Sequence, residues 1–308
     1  MNKGYSANNP ELQGKIKGGS RRGKPSSSEG CASAPLLTII TAVRDGEKTL
    51  ECTIKSVINQ SYDRIEYIII DGGSTDGTLD ILRKYDEKID YWISEPDKGI
   101  YDAMNKGIRL AHGDLIGLLN SDDYYEEHAI QTVVNAYLES GNRENVIVFG
   151  NFYVLDEDSG IKTEHISSVQ YWKGMTINHQ TMFVSRDIYF DRYTYNLTYK
   201  YASDYDFFVK SALNQVRFIH TGRFLVNFRN TGATYRKVLP IYRETLLIGR
   251  NYLGTFSIRY VRLVLRVVRV LLQTVVKRII NRFFGQKAFK AIKIIQNWLQ
   301  GRPWHDVP

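Results

Sequence analysis

The feature that most constrains this chain is an alternation. From Leu36 onwards, short β-branched runs take turns with segments whose apolar residues recur at helical spacing. "LLTIITAV" reads as a buried strand and "EKTLECTIKSVINQ" as the helix that follows it. Ile65–Ile70 is a second strand, and after the turn sequence "DGGSTDGT" comes a helix over Leu79–Tyr85. A strand that returns after a crossover helix runs parallel to its predecessor, so this order predicts βαβ units and an α/β fold with a mixed, mostly parallel sheet flanked by helices. "IDYWIS" extends the series as a strand, "GIYDAMNKGIRLAHG" as a helix with Ile100, Ala103 and Ile108 for packing and Gly113 past its end, "DLIGLLN" as a strand ending at Ser121–Asp123, and "EEHAIQTVVNAYLES" as a helix. Further on, "ENVIVFGNFYVLDE" predicts strand around a hairpin bend and "TMFVSRDIYF" another apolar run. "SDYDFFVKSALN" predicts a helix with an Asp-rich start, and "VRFIH" and "RFLVNFRN" two short strands.

Charge divides the same chain into three parts. Residues 1–34 hold six basic and two acidic side chains and residues 235–308 hold fifteen and two, which leaves twenty basic against twenty-nine acidic between them. The expected organisation is a flexible basic tail over 1–34, a catalytic α/β domain over 35–234 and a basic amphipathic helical extension over 235–308. A nucleic-acid enzyme would place its positive charge around its cleft, whereas here the ordered centre is acidic, so no nucleic-acid partner is expected. Cys31 and Cys52 are the only cysteines, too few for a disulfide framework or a cysteine-ligated metal site. No apolar run precedes a small-residue cleavage site near Met1, so a signal peptide is not expected.

Three places can carry chemistry. In an open α/β sheet, ligands bind beyond the carboxyl ends of adjacent strands, where Val43, Asp45 and Asp71 should meet. Asp71 could accept a hydrogen bond from a uracil imide, with Gly72 and Gly73 allowing close backbone approach, or it could simply cap the next helix. The second place is "NSDD", Asn120–Asp123, directly after a strand. Its paired carboxylates could hold Mg²⁺ or Mn²⁺ or could cap a helix. The third is Asp204 in "YASDYDFF", a candidate base toward an acceptor hydroxyl, with Asp206 as its rival and helix-dipole stabilisation as the plainer role of both. His179 in "GMTINHQTMF" could line the acceptor side or serve only as a hydrogen-bonded structural residue.

The C-terminal stretch "YVRLVLRVVRVLLQTVVKRIINRFF" places Arg262, Arg266, Arg269, Gln273 and Lys277 three or four residues apart, which on a helix makes one polar stripe beside a wide apolar face. Its charges disfavour a membrane span and suit a helix lying on an anionic membrane surface, and "KAFKAIKIIQNWLQ" repeats the pattern. Packing against the catalytic domain or another subunit is the alternative.

The segments "TIITAVRDGEKTLECTIKSVINQSY", "EYIIIDGGSTDGT", "SEPDKGIYDAMNKGIRLAHGDLIGLLNSDD" and "GMTINHQTMF" together resemble family 2 glycosyltransferases over residues 36–125, and the likeness extends toward residue 234. The resemblance implies a GT-A fold, a nucleoside-diphosphate sugar donor with UDP the usual carrier, a bound Mg²⁺ or Mn²⁺ and inversion at the anomeric carbon. It also implies Val43 and Asp71 near the base, Asp45 near the ribose, and Asn105 on the helix that closes over the donor. Asp122 and Asp123 would lie in the metal motif. The family motif has acidic residues at both ends of its triplet; Asn120 stands at the first here, which makes Asp122 the principal ligand and Asn120 an auxiliary. The family base usually follows an acidic residue, but Ser203 precedes Asp204. Similar enzymes build bacterial surface polysaccharides, so the expected acceptor is a glycan or lipid-linked glycan met at the cytoplasmic face of a bacterial plasma membrane by a peripheral enzyme. A nucleotidyltransferase, a sugar-nucleotide hydrolase and a non-enzymatic glycan-assembly scaffold are the competing expectations.

Overall fold

The computed structural model describes residues 16–20, 34–141, 143–156, 160–230, 238–273 and 275. Among them one ten-stranded sheet runs in the order β1 (Ile16–Gly18), β4 (Tyr91–Ser94), β3 (Ile65–Asp71), β2 (Leu37–Val43), β5 (Leu115–Leu118), β9 (Phe183–Ser185), β7 (Val146–Asp156), β10 (Arg217–Arg229) and β6 (Tyr124–Tyr125), with β8 (Ile161–His165) paired to β7. Strands β4, β3, β2 and β5 are all parallel, as the crossover helices require. The reversal comes at β9, which runs antiparallel to both β5 and β7, while β7 and β10 pair in parallel over most of their length.

Alternate residues of each central strand feed two cores. Ile40 and Ala42 of β2 and Ile68 and Ile70 of β3 pack under α3 (Ile100–Leu110), and this core continues to Phe207 and Phe208 of α5 (Ser203–Leu213) and Ile248 of α6 (Val238–Leu253). Leu37, Ile39 and Val43 face the other way, toward α1 (Leu50–Ile58), α2 (Thr78–Lys84) and α4 (Ala129–Glu139). Covering both faces explains why these strands read as unbroken apolar runs. Gly107 lets α3 lie close on the sheet: a Cβ there would stand 2.3 Å from Cγ2 of Ile40.

Three expectations change. The hairpin bend within "ENVIVFGNFYVLDE" is absent, and β7 is one eleven-residue strand. Its Gly150 serves close approach rather than a turn, since a Cβ there would meet Leu225 of β10 at 2.5 Å. The two short strands expected over 216–230 are one strand, β10, whose register shifts between His220 and Phe224 around Gly222 at φ +69°. Within the segment expected to be a basic tail, Ile16–Gly18 add β1 antiparallel to β4. Gly18 lies there against the Trp92 ring and Gly19 donates to Asp86 at 2.7 Å.

The C-terminal helices are joined to the domain rather than held apart from it. Helix α6 buries Thr245 and Ile248. A further helix, α7, over residues 258–273, buries Leu263 and Val267, with Leu263 against Gly174 and Gly249. Arg259 donates to the Tyr171 hydroxyl at 2.9 Å and Arg266 to the carbonyl of Lys173. On its other side α7 exposes Ile258, Val261, Leu265, Val268 and Leu272. None of the helices among the described residues is long and apolar enough to cross a membrane. Lys277 and the "KAFKAIKIIQNWLQ" stretch lie outside the described residues.

Candidate active site

At the carboxyl ends of β2 and β3 the chain builds a tightly bonded pair of loops. The Val43 carbonyl accepts from the Gly72 N–H at 2.8 Å, and Asp45 takes a positive φ of 52° while its N–H donates to the Ser74 hydroxyl at 2.7 Å. Asp45 Oδ1 accepts from the Thr75 N–H at 2.9 Å and the side chain stays exposed. Asp71 has no exposed surface: its oxygens accept from the Ser74 N–H, the Ser74 hydroxyl and the Ser94 hydroxyl. In this arrangement the Asp71 carboxylate anchors the loop, which is the capping role weighed beside base recognition. The Val43 side chain is core, so what Val43 presents at this edge of the sheet is its backbone. Gly72 packs against Asp97: a Cβ there would stand 2.2 Å from an Asp97 carboxylate oxygen and would make that side chain shift.

Strand β5 delivers Asn120–Asp123 to the same edge of the sheet. Asp123 does not face the cleft. It is fully buried, Oδ1 accepts from the Arg229 N–H at 2.6 Å, and Oδ2 accepts from the Gln180 side-chain amide at 2.5 Å. Burial and then the neighbouring Asp122 charge push its carboxyl well above the usual range. Asp123 is thus a structural carboxylate rather than an exposed metal ligand. Asp122 is half-buried, and the Asn120 side-chain carbonyl is buried without a hydrogen-bond partner. These two hard oxygen donors suit Mg²⁺ or Mn²⁺. Among the described residues no three His, Cys, Asp or Glu side chains are grouped to hold a metal, so phosphate oxygens of a ligand would have to complete such a coordination shell.

The acceptor side centres on Asp204 in the first turn of α5. The Tyr101 hydroxyl of α3 donates to Asp204 Oδ1 at 3.0 Å, the Tyr205 N–H donates to the same oxygen at 2.9 Å, and His179 Nδ1 lies 3.5 Å from Oδ2. His179 Nε2 is buried without a partner. Asp206 is excluded as the base: it is 1% exposed, its Oδ2 lies 2.7 Å from the Lys210 ammonium, and Oδ1 accepts from the Tyr252 hydroxyl at 3.0 Å. Asn105 is also corrected. It is buried, and its amide is used on both sides by the backbone of Tyr195, at 2.8 and 3.0 Å, so it straps α3 to that segment instead of reaching a donor.

One short turn joins the two sites. His179–Thr181 form a 3₁₀ turn leading into β9, whose antiparallel pairing with β5 brings it beside the end of β5. Gln180 accepts from the Asn120 N–H at 2.8 Å and donates to Asp123, while the preceding His179 meets Asp204. The carboxylate turn and the candidate base are therefore held by adjacent residues of one turn.

A model of the family described as glycosyl transferase family 2 matches residues 38–208, more than half the chain, from β2 into α5. The chain belongs to glycosyl transferase family 2. It is 34% identical over 184 residues to an uncharacterized glycosyltransferase of Mycobacterium tuberculosis, covering 59% of this chain and 70% of that one. It is 28% identical over 205 residues to a PGL/p-HBAD biosynthesis glycosyltransferase of Mycobacterium bovis, covering 61% and 75%. Among solved structures the fold is similar to S. aureus TarS 1–349 in complex with UDP-GlcNAc, with a TM-score of 0.58 at 16% identity over 74% of this chain and 69% of that one. Against the UDP complex of TarS the chain spans 66% of that protein at a TM-score of 0.55. The mannosyltransferase PcManGT from Pyrobaculum calidifontis, in complex with GDP-Man and Mn²⁺, is similar at a TM-score of 0.55 and 14% identity over 80% and 73%. The family 2 architecture is the expected GT-A-like one, with its mixed, mostly parallel sheet, flanking helices and C-terminal helical extension.

In this family 2 chain sequence reasoning missed Tyr101, Gln180 and Glu244. Glu244 of α6 accepts from three successive backbone N–H groups, those of Lys200, Tyr201 and Ala202, at 3.0, 2.8 and 2.9 Å. A signal for it exists in the sequence: between Arg236 and His305 it is the one acidic residue.

Proposed function

We propose that this protein transfers a sugar from a nucleoside-diphosphate donor, UDP-linked in the first instance, to a hydroxyl of a glycan or lipid-linked glycan, with inversion at the anomeric carbon. The observation that supports this reading is the His179–Gln180 turn, which contacts Asp204 through His179 and the Asn120 backbone through Gln180. Asp204 is the base that takes the acceptor proton. Tyr101 and His179 hold its carboxylate in place, and the partial burial of the group raises the effect of each fixed contact. Asp45 and the Gly72–Gly73 backbone border the nucleotide, while Asp122 and Asn120 would hold Mg²⁺ or Mn²⁺. Such a cation supplies charge neutralisation for the departing diphosphate. Direct displacement needs one base and no covalent sugar–enzyme intermediate, so a single aimed carboxylate at the acceptor side is sufficient.

The acceptor reading rests on the outer side of α7. Its exposed stripe Ile258, Val261, Leu265, Val268 and Leu272 is flanked by Arg262 and Arg269, and no acidic residue occurs between Glu244 and Asp306. Apolar residues beside arginines favour an anionic bilayer surface, so the enzyme sits peripherally at the cytoplasmic face of a bacterial membrane, and its product contributes to a surface glycan.

The test is a mass-resolved screen of nucleotide sugars with Mn²⁺ or Mg²⁺ and a membrane-lipid extract as acceptor. A donor-sized mass increment on one lipid-linked species, with release of nucleoside diphosphate, is the expected result. Release of pyrophosphate, or donor cleavage with no acceptor product, would overturn the assignment.

A further inference from the structure

The base is held from outside the segment that carries it. Three consecutive amides, those of residues 200–202, point into one carboxylate, Glu244, which belongs to a helix some forty residues downstream. Asp204 follows two residues later, in the first turn of α5. Helix α5 lacks a side-chain cap at Ala202, and the Ala202 N–H, together with the two amides before the helix, finds its acceptor on α6. A charged acceptor taking several N–H bonds makes short, strong contacts, here all within 3.0 Å. Nearby, Tyr252 of α6 bonds Asp206 and the Tyr205 hydroxyl donates to the Tyr171 carbonyl at 2.8 Å, so the approach to Asp204 is fixed on several sides.

We infer that Glu244 is a positioning residue for transfer: by clamping residues 200–202 it sets the location of the Asp204 carboxylate relative to the acceptor. The inference rests on Asp204 being the base. Glu244 touches neither donor nor reacting atoms and acts only through that backbone.

The experiment compares wild type, Glu244→Gln and Glu244→Ala in the full chain by two independent readouts. In amide hydrogen exchange, the peptide spanning residues 199–206 should exchange faster in Glu244→Ala, with Glu244→Gln between, because glutamine keeps one acceptor oxygen. With the donor and acceptor that the screen above returns, kcat should fall in the same order, about tenfold or more for alanine, while the donor KM and the UDP affinity stay within twofold. In an Asp204→Asn background Glu244→Ala should add no further loss, whereas a general structural role would lower residual activity in both backgrounds. Should the alanine variant fail to fold, the near-isosteric glutamine carries both measurements. Unchanged exchange at 199–206, or additive losses of kcat, would overturn the clamp. Faster exchange in a protein that shows no transfer at all would retain the clamp and reject Asp204 as its catalytic target.

Discussion

The site separates carboxylates that look alike in the sequence by what surrounds them. Asp122 and Asp123 are neighbours on one turn, yet Asp123 is fully buried with both oxygens bonded, whereas Asp122 is half-buried. Asp122→Asn should lower cation-dependent transfer by about two orders of magnitude or more while leaving thermal unfolding unchanged; a folded variant with wild-type Mn²⁺ dependence would remove it from the metal site. Asp123 predicts a pH effect of definite sign. Its raised folded value means that the folded protein keeps this proton after the unfolded chain has released it, so this group's contribution to stability declines as pH rises above the ordinary carboxylate range. Denaturant unfolding at stepped pH should show that decline, and Asp123→Asn should flatten it even though the variant is less stable throughout. At the same scale, Asp204→Asn should cut transfer by about 10²–10⁴-fold with UDP affinity retained, read by titration calorimetry.

Elements were far easier to read than partners. Every strand from β2 to β5 and every helix from α1 to α5 is written in local apolar spacing, because each buries its own side chains on a face fixed by its period. The expected bend in β7 and the break in β10 are both absent: Gly150 admits Leu225, and Gly222 accompanies a register shift inside one continuous strand. The bonds of Asn105, Asp71 and Asp206 were not legible for a different reason: each partner is remote in sequence or depends on a loop path, and side-chain type alone does not say whether a carboxylate or amide turns inward. Gly107 gives a prediction that belongs to an element. Gly107→Ala would drive a methyl into Ile40 and should destabilise the protein by about 1–3 kcal/mol, measured by chemical denaturation, with the loss shared by every function that needs α3 seated on the sheet.

Across the whole molecule, the boundary drawn from charge at residue 234 is not a boundary in packing. Helix α6 contributes Ile248 to the core around α5, and α7 rests on α6 and on residues 171–174. Among residues 238–273 the inner side packs on the catalytic domain, with Arg259 and Arg266 bonded to it, while Arg262 and Arg269 stay exposed. Leu265→Glu with Val268→Glu should therefore reduce cosedimentation with phosphatidylglycerol vesicles while leaving UDP affinity and unfolding temperature near wild type; equal vesicle binding would remove α7 as the lipid contact. The clamp by Glu244 also orders events during synthesis. The pocket loops, the carboxylate turn and Asp204 have all left the ribosome before α6 does, so a nascent chain can bury its nucleotide-side core while residues 200–202 still lack their acceptor. On the proposed role of Asp204, the backbone leading to its carboxylate gains its Glu244 acceptor only once α6 has been made.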